Sequence, residues 1–200
     1  AAYDFPGRAW LSWALVLPLS MPAFVLAYAY TDFLDTSGPL QTTLRALTGW
    51  SVRGYWFPDI RSLPGAGVCL GLALYPYVYM LARSAFAERS ASLSDAARSL
   101  GLSPRATWWR VIWPVARPAV AAGSALVLME TLADFGTVSY FGIDTLTAGI
   151  YRSWQGMGDR VAAARLAIVL LLLVGGLAYA ERRQRTRMRF HSRAARPAQR

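Results

Sequence analysis

Two hundred residues make one domain or part of one, and 55% of them are apolar and 13% aromatic. The 21 basic residues outnumber the 11 acidic ones, giving a net charge of +10, and every basic residue is arginine. A phosphate-cradling P-loop needs a lysine at a fixed place, so any nucleotide chemistry is expected on a partner, with no cofactor bound by this chain.

The chain opens on Ala1, and the stretch to Arg8 resembles neither a signal peptide nor a start region, so a longer parent protein is expected. Four apolar stretches then follow, each near the roughly 20 residues that a spanning helix needs. They are about 9–30, 64–82, 116–135 and 161–180. The first holds Pro18 and Pro22, kinks that membrane bundles tolerate, with Trp10, Trp13, Tyr28 and Tyr30 near its ends like an aromatic belt. In the second, Gly65, Gly67 and Gly71 stand at close-packing spacing, ahead of Tyr75, Tyr77 and Tyr79. Glu130 and Asp134 fall in the second half of the third. From Ala167 to Gly176 the fourth has no polar side chain. Four such runs exceed what a soluble core of this size holds, so the fold class is an all-α, polytopic transmembrane bundle.

Arginine placement orients the bundle. Arg8 precedes the first span, six arginines from Arg83 to Arg117 lie at or between the second and third, and eight from Arg182 to Arg200 follow the fourth. The opposite side holds Arg45, Arg53, Arg61, Arg152 and Arg160. The positive-inside rule then puts both ends of the chain and residues 84–115 in the cytoplasm. Residues 1–181 read as one transmembrane domain and 182–200 as a basic cytoplasmic tail or linker. Basic charge is thereby explained by topology, without nucleic acid. The outer connection from Thr31 to Leu63 carries Trp50, Tyr55, Trp56 and Phe57, which suit either membrane-surface anchoring or an external partner. The second outer connection is glycine-rich, with a short surface or re-entrant helix expected over Thr145–Tyr151.

The cytoplasmic stretch reads as two short helices around a turn. Ser92 and Asp95 are at capping-box spacing, Gly101 suits a left-handed helix end, and Ser103-Pro104 restarts a helix. Pro114 is expected to stop or kink that second helix. This order also resembles a DNA-binding helix-turn-helix. The would-be recognition helix, however, contains Trp108, Trp109 and Trp113, too aromatic for a groove reader, and no third helix completes a core.

The closer match is to the cytoplasmic signature loop of inner-membrane permease subunits in binding-protein-dependent ABC importers. That pattern runs Glu-Ala-Ala, three residues, Gly, nine residues, Ile, one residue, Leu-Pro. Here it stands as Asp95-Ala96-Ala97, Gly101, Val111 and Trp113-Pro114, every spacing intact. Asp for Glu and Val for Ile are conservative departures, whereas Trp113 changes the packing volume. The stretches Leu17–Tyr28, Tyr75–Tyr79 and Glu130–Gly136 resemble the ferric-iron branch, whose permeases commonly fuse two six-helix halves. The likeness covers nearly the whole chain, which looks like the last four helices of a first half.

What the resemblance implies is an import permease working by alternating access. Its expected partners are cytoplasmic ABC ATPase subunits that use ATP, an external or periplasmic solute-binding protein, a second permease half and the bilayer of the bacterial inner membrane. Asp95, Ala96, Ala97, Arg98, Gly101, Val111, Trp113 and Pro114 would form the loop that couples to the ATPase, with Asp95 and Arg98 offering charge contacts. Ferric iron is the expected cargo, with thiamine, a phosphonate, sulfate or a polyamine as same-family alternatives. Outside the family, a non-transporting membrane protein whose hinge recruits a partner, or a membrane-tethered DNA-binding regulator, is the alternative.

Glu130 and Asp134 are four apart and would share one helical face. A carboxylate at mid-membrane costs about 2.5–3.5 kcal/mol and usually faces a cavity or partner. A hard cation prefers oxygen donors, which makes a translocation pathway one reading. The other is pairing near the outer surface with Arg152, Arg160 or Arg165. Neither Cys69 nor His191 has companions at metal-ligand spacing, and no catalytic constellation can be assembled.

Overall fold

The computed structural model describes the backbone of residues 5–52 and 54–193, and the side chains of 5–52, 54–87 and 95–183. The described residues are helical or in turns, with no strand among them. The helices are α1 (Arg8–Ala14), α2 (Ala23–Leu34), α3 (Pro39–Thr48), α4 (Leu63–Ser99), α5 (Pro104–Thr107), α6 (Trp113–Ala133), α7 (Gly136–Tyr140), α8 (Leu146–Tyr151) and α9 (Arg160–Arg193). A 3-10 turn covers Leu17–Ser20, and π turns cover Trp108–Ile112 and Arg152–Gly156. The chain forms two compact units: Ala1–Val16 with Pro76–Glu130 and Leu171–Arg200, and Leu17–Tyr75 with Thr131–Leu170.

Three helical stretches among the described residues are long and apolar enough to cross a membrane: Leu63–Ala87, Pro104–Ala133 and Arg160–Arg183. The first expected span, 9–30, is instead divided into α1, the 3-10 turn and α2. Pro18 and Pro22 lack the N–H that would continue the ladder, and each disfavours helical backbone in the residue before it. The longest piece, α2, has 12 residues and a length of about 18 Å, short of the roughly 30 Å hydrocarbon core.

In the unit built from 17–75 and 131–170, Ala27, Ile60, Ala66, Cys69 and Phe141 make the core, with Tyr30, Leu34, Tyr140 and Ile143 packed around it. Ser62 starts α4: its hydroxyl accepts from the Gly65 N–H at 3.2 Å and its carbonyl from the Ala66 N–H at 2.9 Å. Only glycine fits at 65, because a Cβ there would lie 1.9 Å from the Ile60 carbonyl oxygen. Gly67 and Gly71, by contrast, have nothing within 4 Å of a would-be Cβ, so only one of the three glycines serves close packing. Helix α7 lies on α2, with Tyr28 and Tyr140 ring centroids 3.9 Å apart and Gly136 against Phe24. The Asp134 carboxylate holds the start of α7, accepting from the N–H groups of Thr137 at 3.0 Å and Val138 at 3.2 Å. The Thr137 hydroxyl donates to the same carboxylate at 3.3 Å. Helix α8 falls within the stretch Thr145–Tyr151 where a short surface or re-entrant helix is expected, capped by Thr145, whose hydroxyl accepts from the Ala148 N–H at 3.3 Å.

In the other unit, α6 approaches α4 at Gly123 and buries further small residues. Ala116, Ala122, Gly123 and Ala125 are buried, and a Cβ on Gly123 would sit 2.7 Å from the Val78 Cα. Lipid chains are as apolar as leucine, so close backbone approach rather than hydrophobic exclusion holds such helices together. Helix α9 has little of this: 6% of its apolar window is buried within the chain, against 39% for α4. Its surface is left for lipid or another chain.

Replacing Gly123 by leucine should overpack this crossing and lower stability by about 1–3 kcal/mol, read as a drop in Tm in detergent. Gly71→Ala should leave Tm unchanged or raise it, since alanine is the better helix former by about 1 kcal/mol and meets no neighbour. Removing the α7 cap with Asp134→Ala should cost about 0.5–2 kcal/mol in the same melt.

Candidate coupling site

The expected short helix beginning at Ser92 does not start there. The helix continues from the apolar segment past Ser92, and α4 is one 37-residue helix ending at Ser99. A helix of that length is about 55 Å long, well beyond the hydrocarbon core. The Ser92 side chain lies outside the described residues, while Asp95 sits in the last turns of α4 rather than in a first turn. Asp95, Ala96 and Arg98 are exposed, and Ala97 is buried. Arg98 stands in the last turn, where a cation complements the helix dipole.

Gly101 ends the helix as expected. Its φ of +77° is a region that glycine enters cheaply. Its N–H donates to the Arg98 carbonyl at 2.9 Å, and the Leu102 N–H donates to the Ala97 carbonyl at 3.1 Å. Those two bonds define a Schellman turn. The chain restarts at once: the Ser103 hydroxyl accepts from the Ala106 N–H at 3.3 Å, with Pro104 in the first helical position. Thr107, buried, donates its hydroxyl to the Ser103 carbonyl at 3.0 Å.

Pro114 neither stops nor breaks this second helix, which runs on through the π turn into α6. An α-helical proline loses its bond to the carbonyl four residues back and collides with it. Here the ladder has already widened, the Trp113 N–H donating to the carbonyl of Trp108, five residues back. The same spacing puts Trp108 and Trp113 on one face, stacked at 5.7 Å and 14°. Trp109 adds an edge contact to Trp108 at 5.3 Å, and the Arg117 guanidinium lies 6.0 Å over the Trp113 ring. Trp113 therefore takes the place of the smaller pattern residue by joining an aromatic ladder, beside half-buried Val111 and Pro114. The pair of tryptophans five apart was the sequence signal for this π turn, and α-helical spacing alone does not reveal it.

Glu130 and Asp134 are not on one helical face. Helix α6 ends at Ala133, leaving Glu130 exposed on it, and the Asp134 carboxylate is occupied by α7. The Asp134 carbonyl also accepts from the Thr147 hydroxyl at 2.7 Å. Arg152 pairs with Asp144 rather than with either candidate. Among the described residues no group of three His, Cys, Asp or Glu could hold a metal ion.

A polar cleft of about 400 Å³ escaped the sequence reading. It is lined by Tyr28, Thr31, Asp32 and Asp35 of the α2 region, with Arg61 and Tyr140 from elsewhere in the same unit. The Arg61 guanidinium lies 5.4 Å from the Tyr140 ring centroid. Nothing in the linear order joins these residues.

The chain matches, over residues 1–187, the family described as binding-protein-dependent transport system inner membrane component. It is 27% identical, over 86% of its length, to the Fe(3+)-transport system permease protein FbpB 2 of Haemophilus influenzae, covering 29% of that protein. It is 27% identical, again over 86% of its length, to a putative 2-aminoethylphosphonate transport system permease protein of Salmonella typhimurium, covering 61%. To a probable sulfate transport system permease protein of Chlorokybus atmophyticus it is 30% identical over 68% of its length, covering 45%. The chain thus spans less than two thirds of the length of each of these relatives. It belongs to the family of binding-protein-dependent transport system inner membrane components.

Proposed function

We propose that this chain is part of the permease of an ATP-driven importer, with ferric iron as cargo and the segment Asp95–Pro114 as its coupling element. The observation that carries the reading is the turn at Gly101, where a long apolar helix ends in a hydrogen-bonded Schellman bend beside exposed Asp95, Ala96 and Arg98. A groove on a cytoplasmic ATPase subunit receives that bend, and rigid-body closure of the groove moves the helices attached to it. Because the helix that spans the membrane is the same helix that ends at the turn, a push at Asp95 enters α4 directly. The arginine distribution supports a cytoplasmic position for the turn. A solute-binding protein delivers cargo from the other side, and a second permease half completes the path. Hydrolysis belongs to the partner, since this chain has no lysine for a P-loop.

Support for iron comes from the Haemophilus relative, whose name specifies Fe(3+), and from three stretches that resemble the ferric branch. The Salmonella and Chlorokybus relatives favour a second reading, with a phosphonate or sulfate carried by the same machinery. Uptake of ferric iron, 2-aminoethylphosphonate and sulfate by the reconstituted full-length transporter separates the two. Accumulation of iron alone is the expected result.

The coupling role makes its own prediction. Gly101→Pro forbids the positive φ, and exchanging the Asp95 and Arg98 charges inverts the outward face. ATPase activity stimulated by the binding protein should fall toward the unstimulated rate in both, with the complex still assembling on size exclusion. Unchanged stimulation in both removes the role. For the pathway, Glu130 carries the proposal and Asp134 is retained only as a neighbour that orders α7. Glu130→Gln should slow uptake without altering assembly, and an unchanged uptake rate would return Glu130 to the protein surface.

A further inference from the structure

The connection between α2 and α4 is built inside out for an aqueous surface. Helix α3 turns Gln41 and Arg45 toward its own unit. The Gln41 amide donates to the Leu34 carbonyl at 2.8 Å, and the Tyr55 hydroxyl donates to Gln41 at 2.7 Å. The Arg45 guanidinium reaches the Tyr55 oxygen at 3.1 Å and the Thr36 carbonyl at 2.7 Å. Its outward side has no charged group. Leu47 is 81% exposed, and beyond the helix Trp50, Val52 and Trp56 are 50%, 58% and 85% exposed.

The remaining polar groups of α3 make no demand on water either. Thr42 donates to the Gly38 carbonyl at 2.8 Å, Thr43 to the Pro39 carbonyl at 2.6 Å and Thr48 to the Leu44 carbonyl at 2.7 Å. Each hydroxyl is thus turned back onto the helix itself. Beyond exposed Asp59 and Arg61, the first turns of the α4 span again expose apolar residues, Leu63, Val68 and Leu72. Ten residues of helix cover about 15 Å, too short to cross a bilayer but suited to lying along one. Tryptophan pairs an apolar body with an N–H that seeks the headgroup layer.

We propose that α3 with Trp50, Val52 and Trp56 lies in the headgroup–acyl boundary of the bilayer, an interfacial anchor that fixes the depth of α4. Membrane-surface helices ordinarily turn a basic face to water. Here the basic residue is spent on an internal network instead, and the unit behind α3 takes the place of water. A protein partner covering the same face is the competing occupant. The satisfied threonines, the exposed tryptophans and the exposed apolar residues at the start of the membrane-length α4 favour lipid.

Nitroxide labels at Leu47→Cys and, separately, Trp56→Cys test this in the full-length transporter, with other accessible cysteines removed and buried Cys69 retained. The vesicles are phosphatidylethanolamine with phosphatidylglycerol. Relaxation by oxygen should exceed relaxation by a water-soluble nickel chelate severalfold at both sites, at a depth just below the phosphates. Dominant relaxation by the chelate overturns the proposal in favour of water. Protection from both reagents overturns it in favour of a protein neighbour.

Discussion

Within an apolar span, a backbone N–H or carbonyl without a partner has no water to turn to, and a departure from helix there must be closed internally. The prolines and glycines of this protein show how that is met. Pro18 and Pro22 break the ladder outright, and the chain answers with a 3-10 turn and a fresh helix. Pro76 is taken inside α4 and fully buried. At Pro114 the ladder loosens to five-residue spacing before the proline arrives, so one continuous path survives. At Gly101 the chain turns sharply, yet Gly101, Leu102 and Ala106 each find an acceptor for the N–H. The turn is thereby held by its own hydrogen bonds.

The same constraint governs the side chains. The Asp134 carboxylate is consumed by the open N–H groups of α7, which removes it from the face expected to carry cargo. Arg45 joins Gln41 and Tyr55 in fastening α3 to its unit. Small residues do the complementary work where helices meet. Gly123 lets α6 approach the backbone of Val78, whereas only 6% of the α9 apolar window is buried within the chain. Membrane helices gain little from excluding lipid, so these few close approaches carry the packing.

Much of this was legible beforehand. Length of apolar run identified α4, α6 and α9, because crossing hydrocarbon is a requirement on composition alone. Gly101 and Ser103-Pro104 were readable as a helix end and a helix start because their conformational preferences are local. Less legible was anything that depended on where a helix stops. Glu130 and Asp134 share a face only if α6 continues past Ala133, and it does not. Ser92 reads as a cap only if the preceding helix has ended, and α4 runs through it. Local capping signals are weak, about 1 kcal/mol, against the cooperative continuation of a helix already formed.

By itself, then, the order of residues determined the all-α membrane character, the signature spacing from Asp95 to Pro114 and, through its lack of lysine, the absence of a P-loop. These follow from hydropathy, fixed spacing and residue chemistry, none of which needs a contact distant in sequence. Only the tertiary structure decided that Gly65 and Gly123 are close-approach glycines while Gly67 and Gly71 are not. It likewise decided that Arg61 and Tyr140 share a cleft with the α2 carboxylates. The inward polar face of α3 belongs to the same class, since its partners lie on segments before and after it. Which side of a helix meets a neighbour is a matter of packing, and packing is written in no single stretch of the chain.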